Sequence, residues 1–395
     1  MYLYKEEFKN DTYKRKYACG ILSIKFNLFS CVTDYKFLGL KFMKKVILRG
    51  CSKYNVLKIF KFKKHAKSTA FFLLPILIKY LKQKITSENF DIIPLQYRLG
   101  ETMLFLYYFK SYSKKQKINN PVFVSAMPYL ESLCKIFYPE IPFIEVPPFI
   151  FNIHWADIPE YTYKNIRYIQ NLSRPYFIEY ERNCPIEQFY AAHTKKLGVE
   201  NDKIVLPKYS PDVIRSAELK MQMLGLKKPY AFIVPDARSS PTLSKYFWDK
   251  LPLELFNLGY DMYFNTIPWR VANSSYKHCY LSVAEAKFIA EHADIIIGVR
   301  CGLLDVITDK NSIVFSIFLD FVDRDDLPVL PAEKVLKAFT LKQLPNINPE
   351  RIFEYNGQVE EESDILENIV NILQDIKNTE KLNCNQGAFK NEKNN

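Results

Sequence analysis

Short apolar runs alternate with amphipathic stretches from residue 90 onward. The runs at 91–96, 121–127 and 142–147 have the length and apolar content of buried strands, while 101–112 and 129–137 carry apolar residues at helical spacing. Parallel strands need a crossover connection of a dozen or more residues, usually a helix. The pattern therefore predicts a βαβαβ unit, half of a Rossmann-like architecture.

A second series of the same kind begins near residue 230. Its predicted strands are 230–237, 260–267, 294–299 and 312–319, and its predicted helices are 244–259, 282–293 and 302–308. This alternation predicts a second doubly wound domain. The proline-rich stretch 148–210 is predicted to link the two domains and to hold one helix, at 185–199.

The remaining segments lie at the two ends of the chain. Residues 52–83 are predicted to be helical with a break at Pro75, and 362–378 is predicted to be a closing helix followed by a disordered tail. With 395 residues the chain exceeds the usual size of a single core. The predicted division is a leader (1–85), an N-terminal domain (86–205), a C-terminal domain (206–345), and a helix with a tail (346–395).

Charge is distributed unevenly along the chain. The formal net charge is +12, yet residues 1–80 alone hold 18 Lys and Arg against 4 Asp and Glu, so the rest of the chain is close to neutral. A basic segment beside a neutral body favours attachment to an anionic surface, a membrane or a nucleic acid. The Asn/Lys-rich last dozen residues are the only low-complexity tract, so global disorder is excluded.

Three roles can be considered for the leader: a solvated arm, a membrane contact and a nucleic-acid contact. Its most apolar run, Ala70–Ile78, is about half of the ~20 residues that span a bilayer, so no transmembrane helix is predicted. The segment is a basic solvated arm with an apolar stretch docked on the body, or it lies in the plane of an anionic membrane. A nucleic-acid partner is not expected, because no RNA- or DNA-binding motif accompanies the basic residues.

The spacing of cysteine, histidine and acidic residues does not indicate a metal site or a disulfide framework. The eight cysteines include no CxxC pair and no histidine at ligand spacing, so neither a zinc module nor a disulfide framework is predicted. The acidic string Asp323, Asp325 and Asp326 follows the last strand of the second series without a second ligand cluster, and it is interpreted as a solvated turn. No metal site and no bound cofactor are expected. The N-terminus has no signal-peptide core, which favours the cytoplasm.

Polar residues follow the predicted strands, where open α/β sheets bind ligands. After the first strand, Arg98, Gly100, Glu101 and Thr102 form a turn into a helix. Glu101 could act as a general base that takes a proton from an acceptor hydroxyl. An acidic residue in the first turn of a helix is also common without any chemistry, because it faces the positive end of the helix dipole.

Two further loops have the residue types of an anion site. In 235–248, Ser239, Ser240 and Thr242 offer hydroxyl groups and Lys245 a cation at a helix start, which suits a diphosphate, although plain N-capping explains the same residues. In 295–307, a β-branched strand leads into Arg300, Cys301 and Gly302. Arg300 could pair with a phosphate in a fork geometry, or it could be a surface arginine at a tight turn.

These loops in this order resemble the GT-B glycosyltransferases of bacterial surface polysaccharide synthesis, especially the heptosyltransferase-like family. RLGE is similar to that family's Arg-x-Gly-Asp turn, SKYFW to its Lys-x-Trp segment, and AKFIAEHADIIIGVRCGLLDVI to its helix, strand, glycine turn and short helix. The likeness spans residues 90–320. The sequence departs from the family at two places. Glu stands for Asp, and GVRCG stands for the family's Gly-Asn/Asp-Thr/Ser-Gly, so that Arg300 occupies an acidic or amide position. GVRCG resembles the GxRSGLxD-like string of capsule and fucosyl-type enzymes.

The resemblance implies an α/β, GT-B architecture of two Rossmann-like doubly wound domains facing each other across a cleft, preceded by a basic N-terminal leader. It implies Glu101 as the catalytic base, with Arg98, Gly100 and Thr102 beside the acceptor. The donor would contact the second domain, at Ser239, Ser240, Thr242, Lys245, Arg300, Cys301 and Gly302.

The implied activity is transfer of a sugar from a nucleotide-sugar donor to a hydroxyl of a lipopolysaccharide, capsule or other surface-glycan acceptor, inverting and without a metal. The expected partners are the nucleotide sugar, a glycan or lipid-linked acceptor, and an anionic membrane surface contacted through residues 1–80. The expected location is the inner face of the cytoplasmic membrane. The alternatives are a pyruvyl or phosphate-linked transferase, a non-catalytic GT-B scaffold, and a basic nucleic-acid-binding protein.

Overall fold

The structure is a computed structural model of the 395-residue chain. It describes residues 80–85, 90–95, 98–146, 189–237, 240–265, 277–321 and 331–391, and the backbone of seven strands between residues 4 and 65.

The seven N-terminal strands form one antiparallel sheet in chain order. They are β1 (Tyr4–Lys9), β2 (Thr12–Tyr17), β3 (Leu22–Asn27), β4 (Val32–Phe37), β5 (Leu40–Leu48), β6 (Cys51–Val56) and β7 (Phe60–His65). The prediction of helix from residue 52 is wrong, because β6 and β7 occupy 51–56 and 60–65. The sequence FKFKKH alternates aromatic and basic residues with the period of two that is typical of strands.

The first βαβαβ unit is confirmed. It consists of β8 (Asp91–Pro94), α1 (Leu99–Lys115), β9 (Pro121–Ser125), α2 (Tyr129–Phe137) and β10 (Phe143–Glu145). The three strands are parallel in the order β10-β9-β8. Residues Phe105, Phe109 and Phe123 are fully buried or nearly so, and aromatic rings pack edge to face between α1 and β9.

Between the two sheets, the described residues 189–229 include two helices. The prediction of a helix at 185–199 is confirmed as α3 (Phe189–Leu197). The second helix, α4 (Pro211–Met223), was not predicted, although Ser210 caps it and Pro211 occupies its first turn. Both signals are typical of a helix start, but they fall at the edge of the stretch interpreted as a linker.

The second series forms a five-stranded parallel sheet in the order β12-β11-β13-β14-β15. Its elements are β11 (Tyr230–Val234), α5 (Lys245–Asn257), β12 (Asp261–Phe264), α6 (Val283–Glu291), β13 (Ile295–Val299), α7 (Gly302–Ile307), β14 (Ile313–Phe318), α8 (Ala332–Phe339), β15 (Ile352–Asn356) and α9 (Glu362–Asn391). The predicted strands and helices up to residue 319 are confirmed within a few residues.

The C-terminal part differs from the prediction. Strand β15, which pairs with β14, and helix α8 were not predicted, so the sheet extends beyond residue 345, where the domain boundary was set. The closing helix is confirmed, but the disordered tail is not, because α9 continues to Asn391. No proline follows residue 362 that would stop the helix. Lys377 anchors α9 over the ring of Tyr260, with its Nζ 4.6 Å from the ring centroid.

The two parallel sheets share one hydrophobic core. Helix α1 packs against α7, α2 packs against α6, and buried residues such as Phe105 and Phe232 belong to one cluster. The segment between α3 and α4 adds backbone bonds, because Val205 N donates to Tyr107 O at 2.8 Å. Two domains facing each other across a cleft are therefore not confirmed by the packing of these helices.

Helices in the described part of the chain are too short or too polar to cross a membrane.

Candidate functional site

The strand order of the five-stranded sheet defines one crevice. Going along the chain, the sheet grows from β11 to β12 on one side and from β13 to β15 on the other, so the direction reverses between β11 and β13. Loops at such a switch point diverge and leave room for a ligand beyond the carboxyl ends of the strands. The residues that follow β11 and β13 are Pro235 and Arg300, which begin two of the three loops predicted from the sequence.

Glu101 lies in the first turn of α1, as predicted. Its Oε1 is 3.5 Å from Arg98 Nη1, and its side chain is 16% exposed while that of Arg98 is 40% exposed. The hydroxyl of Thr102 donates to Arg98 O at 2.7 Å and is buried, so Thr102 holds the helix start rather than facing solvent. Of the three neighbours predicted beside the acceptor, Arg98 alone presents a substantially exposed side chain.

The starts of α1 and α7 approach each other at two glycines. A Cβ at Gly302 would lie 3.1 Å from Gly100 N, and a Cβ at Gly100 would overlap Asp305 Oδ2. Larger residues would push the two helices apart. The structure thus brings the Glu101 turn and the Arg300–Gly302 turn together, which the sequence predicted as parts of one site on separate domains.

Arg300 is buried, contrary to its interpretation as a surface arginine. Its Nε donates to Phe339 O at 2.8 Å and its Nη1 to Cys301 O at 2.7 Å, while Nη2 donates to Asp305 Oδ1 and to Tyr190 Oη, each at 2.6 Å. Four of its five N–H groups therefore have partners within the described residues. One N–H of Arg300 is left to donate to a ligand at this turn, and the guanidinium charge is paired with the Asp305 carboxylate at 2.6 Å.

Burial shifts the pKa values of this cluster. It raises the pKa of Asp305 to about 6, although the Arg300 guanidinium and the Tyr190 hydroxyl oppose the shift. It also raises the pKa of Tyr190 well above its ordinary value. Burial alone would lower the pKa of Arg300, but Asp305 and Tyr190 raise it above the usual range. Arg300 is thus a fixed cation beside a carboxyl group whose burial opposes its ionisation.

The 235–248 loop is held by its own hydroxyl groups. Thr242 Oγ1 donates to Pro235 O and accepts from Trp248 Nε1, each at 3.2 Å. Ser244 Oγ accepts from Phe247 N at 3.2 Å and caps α5. Ser244 N donates to Glu362 Oε1 at 2.8 Å, so a carboxylate already lies at this helix start.

Lys245 and Thr242 are the exposed residues among the predicted donor residues that the structure describes. The side chain of Lys245 is 73% exposed and forms an (i, i+4) ion pair with Asp249. Ser240 is half-buried in the same loop, and Ser239 lies outside the described residues. Cys301 is the residue before α7 and makes no side-chain cap, and burial raises the pKa of its thiol.

A hollow of about 470 Å³ lies beside Tyr190, between α1 and α3. Leu104 and Tyr108 of α1 form one wall, and Ala191 and Thr194 of α3 form another. Its volume is within the range of small-molecule sites, and the lining is mostly apolar. Tyr190 lines this hollow, and its hydroxyl contacts both Arg300 and Asp305.

Asp305, Tyr190 and Glu362 were missed from the sequence as site residues. Asp305 had a signal, because it is the single charged residue in the apolar stretch GLLDVI. Tyr190 and Glu362 come from distant parts of the chain and have no local pattern that predicts their positions. Groups of three or more metal-ligating residues do not occur among the described residues. Asp323, Asp325 and Asp326 lie outside the described ranges.

No known family model and no curated protein matches this sequence. Among solved structures, a glycosyl transferase family 9 protein from Veillonella parvula DSM 2008 aligns with 59% of this chain and 81% of its own, at 11% identity and a TM-score of 0.40. The E. coli ADP-heptose lps heptosyltransferase II aligns with 73% of this chain and 100% of its own, at 11% identity and a TM-score of 0.44. These TM-scores are too low for the likeness to carry an argument.

The contact between Gly100 and Asp305 predicts that the effect of Gly100→Ala on the free energy of unfolding depends on whether Asp305 is present. Gly100→Ala should destabilise the protein by about 1–3 kcal/mol, because the methyl group collides with a carboxylate that Arg300 and Tyr190 hold in place. In an Asp305→Ala background the same change should be neutral or stabilising by up to about 1 kcal/mol, since alanine favours a helix more than glycine does. Urea unfolding of the four proteins measures both values. Equal costs in the two backgrounds would contradict the contact.

Proposed function

We propose that this chain is a glycosyltransferase that moves a sugar from a nucleotide-sugar donor to a hydroxyl of a glycan or lipid-linked acceptor. The observation that carries the proposal is the approach of Gly100 and Gly302, which joins the Glu101 turn to the turn that follows β13. The order of motifs shared with the heptosyltransferase-like family is the second support. Surface polysaccharides such as lipopolysaccharide or capsule are the proposed class of acceptor.

The donor diphosphate binds at the switch point of the five-stranded sheet. Lys245 is exposed in the first turn of α5 and can turn from Asp249 to a phosphate. Arg300 stays protonated and supplies positive charge from below the β13–α7 turn. Both charges stabilise the diphosphate as it leaves, so the reaction proceeds without a metal.

Glu101 acts as the general base. Its carboxylate takes the proton of the acceptor hydroxyl while the hydroxyl oxygen forms a bond to the anomeric carbon and the bond from that carbon to the diphosphate oxygen breaks. A single displacement of this kind inverts the configuration at the anomeric carbon. Arg98 Nη1 lies 3.5 Å from Oε1 of Glu101, which leaves the second carboxylate oxygen for the acceptor.

A second candidate is a non-catalytic protein that binds a nucleotide sugar. It is favoured by the engagement of Arg300 in four hydrogen bonds and by the Glu362 carboxylate at the start of α5, where a phosphate would otherwise bind. Donor binding without transfer would distinguish this protein from the enzyme.

Donor binding is expected to raise the stability of the folded chain. A nucleoside diphosphate at one hundred times its Kd should add about 2.7 kcal/mol to the free energy of unfolding, seen as a higher melting temperature. Lys245→Ala should reduce this shift. Lys250→Ala is the matched control, because Lys250 is also exposed on α5, one turn further along and beside the ring of Tyr246. The binding proposal fails when no common nucleoside diphosphate or nucleotide sugar stabilises the protein, or when both variants respond alike.

Loss of the base should separate turnover from binding. Glu101→Gln keeps the size and hydrogen bonding of the side chain but cannot accept the proton, so transfer should fall by roughly 10² to 10⁴-fold while the donor-induced thermal shift remains. Glu101→Asp should retain part of the activity. Glu131→Gln is the matched control, because Glu131 is the acidic residue in the first turn of α2. Normal turnover in Glu101→Gln would exclude this residue as the base.

A further inference from the structure

The two faces of the seven-stranded sheet differ in residue type. Alternate residues of a strand belong to opposite faces, and strand pairing extends each position into a row across the sheet. The row that begins at Lys5 continues through Lys16, Ser23, Lys36 and Lys41. With the rows that begin at Glu7 and Lys9, it makes one face, which we call the lysine face.

The lysine face is strongly cationic. Its three rows contain eleven lysines, while Glu7 and Asp34 are their only acidic residues. The opposite face consists of the rows that begin at Tyr4, Glu6 and Phe8, and fifteen of its nineteen positions are aliphatic or aromatic. The strands between Tyr4 and His65, in the basic leader, therefore form a sheet whose register gives one face rich in lysine and one face rich in apolar residues.

An irregularity in the pairing of β4 and β5 keeps the lysines of β5 on the lysine face. The register shifts between Tyr35 and Lys36, so that Lys36 pairs with Lys41 while Asp34 pairs with Lys44. Lys41 and Lys44 are three residues apart and would belong to opposite faces of a regular strand. The extra residue, Phe42, puts both lysines on the lysine face.

Cross-strand rows of like charges weaken a sheet, so this arrangement calls for an anionic partner. Strands lie about 4.8 Å apart, and seven of them spread the charges over a plane rather than along a stripe. The three rows contain no aromatic residue on which a nucleobase could stack and no arginine that could grip a phosphate with two hydrogen bonds. These features favour a flat surface of diffuse negative charge over a nucleic acid.

We propose that the lysine face binds the anionic headgroups of a membrane surface. Each lysine acts as a point charge, and the attraction falls off within a Debye length of about 8 Å at physiological salt. The sheet holds the rest of the chain at the membrane. This proposal does not rest on the transferase activity, and it is tested without any sugar substrate.

The test compares two triple variants of the full chain that remove the same charge. Lys14, Lys25 and Lys44 form part of the central row of the lysine face, and Lys14/Lys25/Lys44→Gln should weaken binding to vesicles of phosphatidylcholine and phosphatidylserine by about 100-fold. Wild-type binding should fall as salt rises. Vesicle flotation gives the partition coefficient, and circular dichroism checks that each variant keeps the fold.

Arg15/Lys45/Lys64→Gln is the control. Arg15 and Lys45 lie in the rows of the opposite face, and Lys64 belongs to the same face of β7 as Phe60 and Phe62, because alternate residues of a strand share a face. It should stay within about twofold of the wild type, since the number of charges removed is the same but the face is different. Equal losses in both variants would overturn the proposal, as would equal binding to pure phosphatidylcholine. Tighter binding to a single-stranded oligonucleotide that displaces the vesicles would assign the face to a nucleic acid instead.

Discussion

The close approach of α1 and α7 is the constraint on which the arrangement of the site depends. Two helix starts meet at Gly100 and Gly302, and a buried carboxylate, Asp305, fills the space above Gly100. Helix starts carry partial positive charge, so an acidic residue between two of them stabilises the contact, whereas a lysine in the same place would be repelled. This packing joins the two parallel sheets into one core and brings the Glu101 turn beside the switch point.

The buried charges at this contact have to be satisfied together. Asp305 accepts hydrogen bonds from Arg300 and Tyr190, and Arg300 also holds two backbone carbonyl groups. Removal of one member leaves an unpaired buried charge, which is far more costly than loss of an exposed ion pair. The cluster therefore fixes the β13–α7 turn, and the exposed Lys245 is left as the more adaptable cation of the proposed donor site.

The sequence predicted most of the α/β architecture because parallel strands and covering helices leave strong periodic patterns. It predicted helix at β6 and β7, although the alternation of aromatic and basic residues that is typical of strands was present there. The wider segment 52–83 was interpreted as one helical region with lysines in its first half and apolar residues in its second. It located Glu101, Lys245 and Arg300 after strands, as observed. It could not show that Arg300 is bonded to Tyr190 or that Glu362 reaches the start of α5, because these contacts join residues 110 and 118 positions apart. Long-range pairs of this kind have no local signature.

The central claim is that the turns after β11 and β13 form one donor site beside Glu101. Hydrogen exchange of the backbone amides, measured with and without a bound nucleoside diphosphate, tests it most directly. Slower exchange is expected in 240–247 and 300–304, where the starts of α5 and α7 would contact the ligand. No change is expected in the turn 126–131 that follows β9. Protection confined to 190–194, beside the hollow at Tyr190, would place the nucleotide elsewhere and contradict the account.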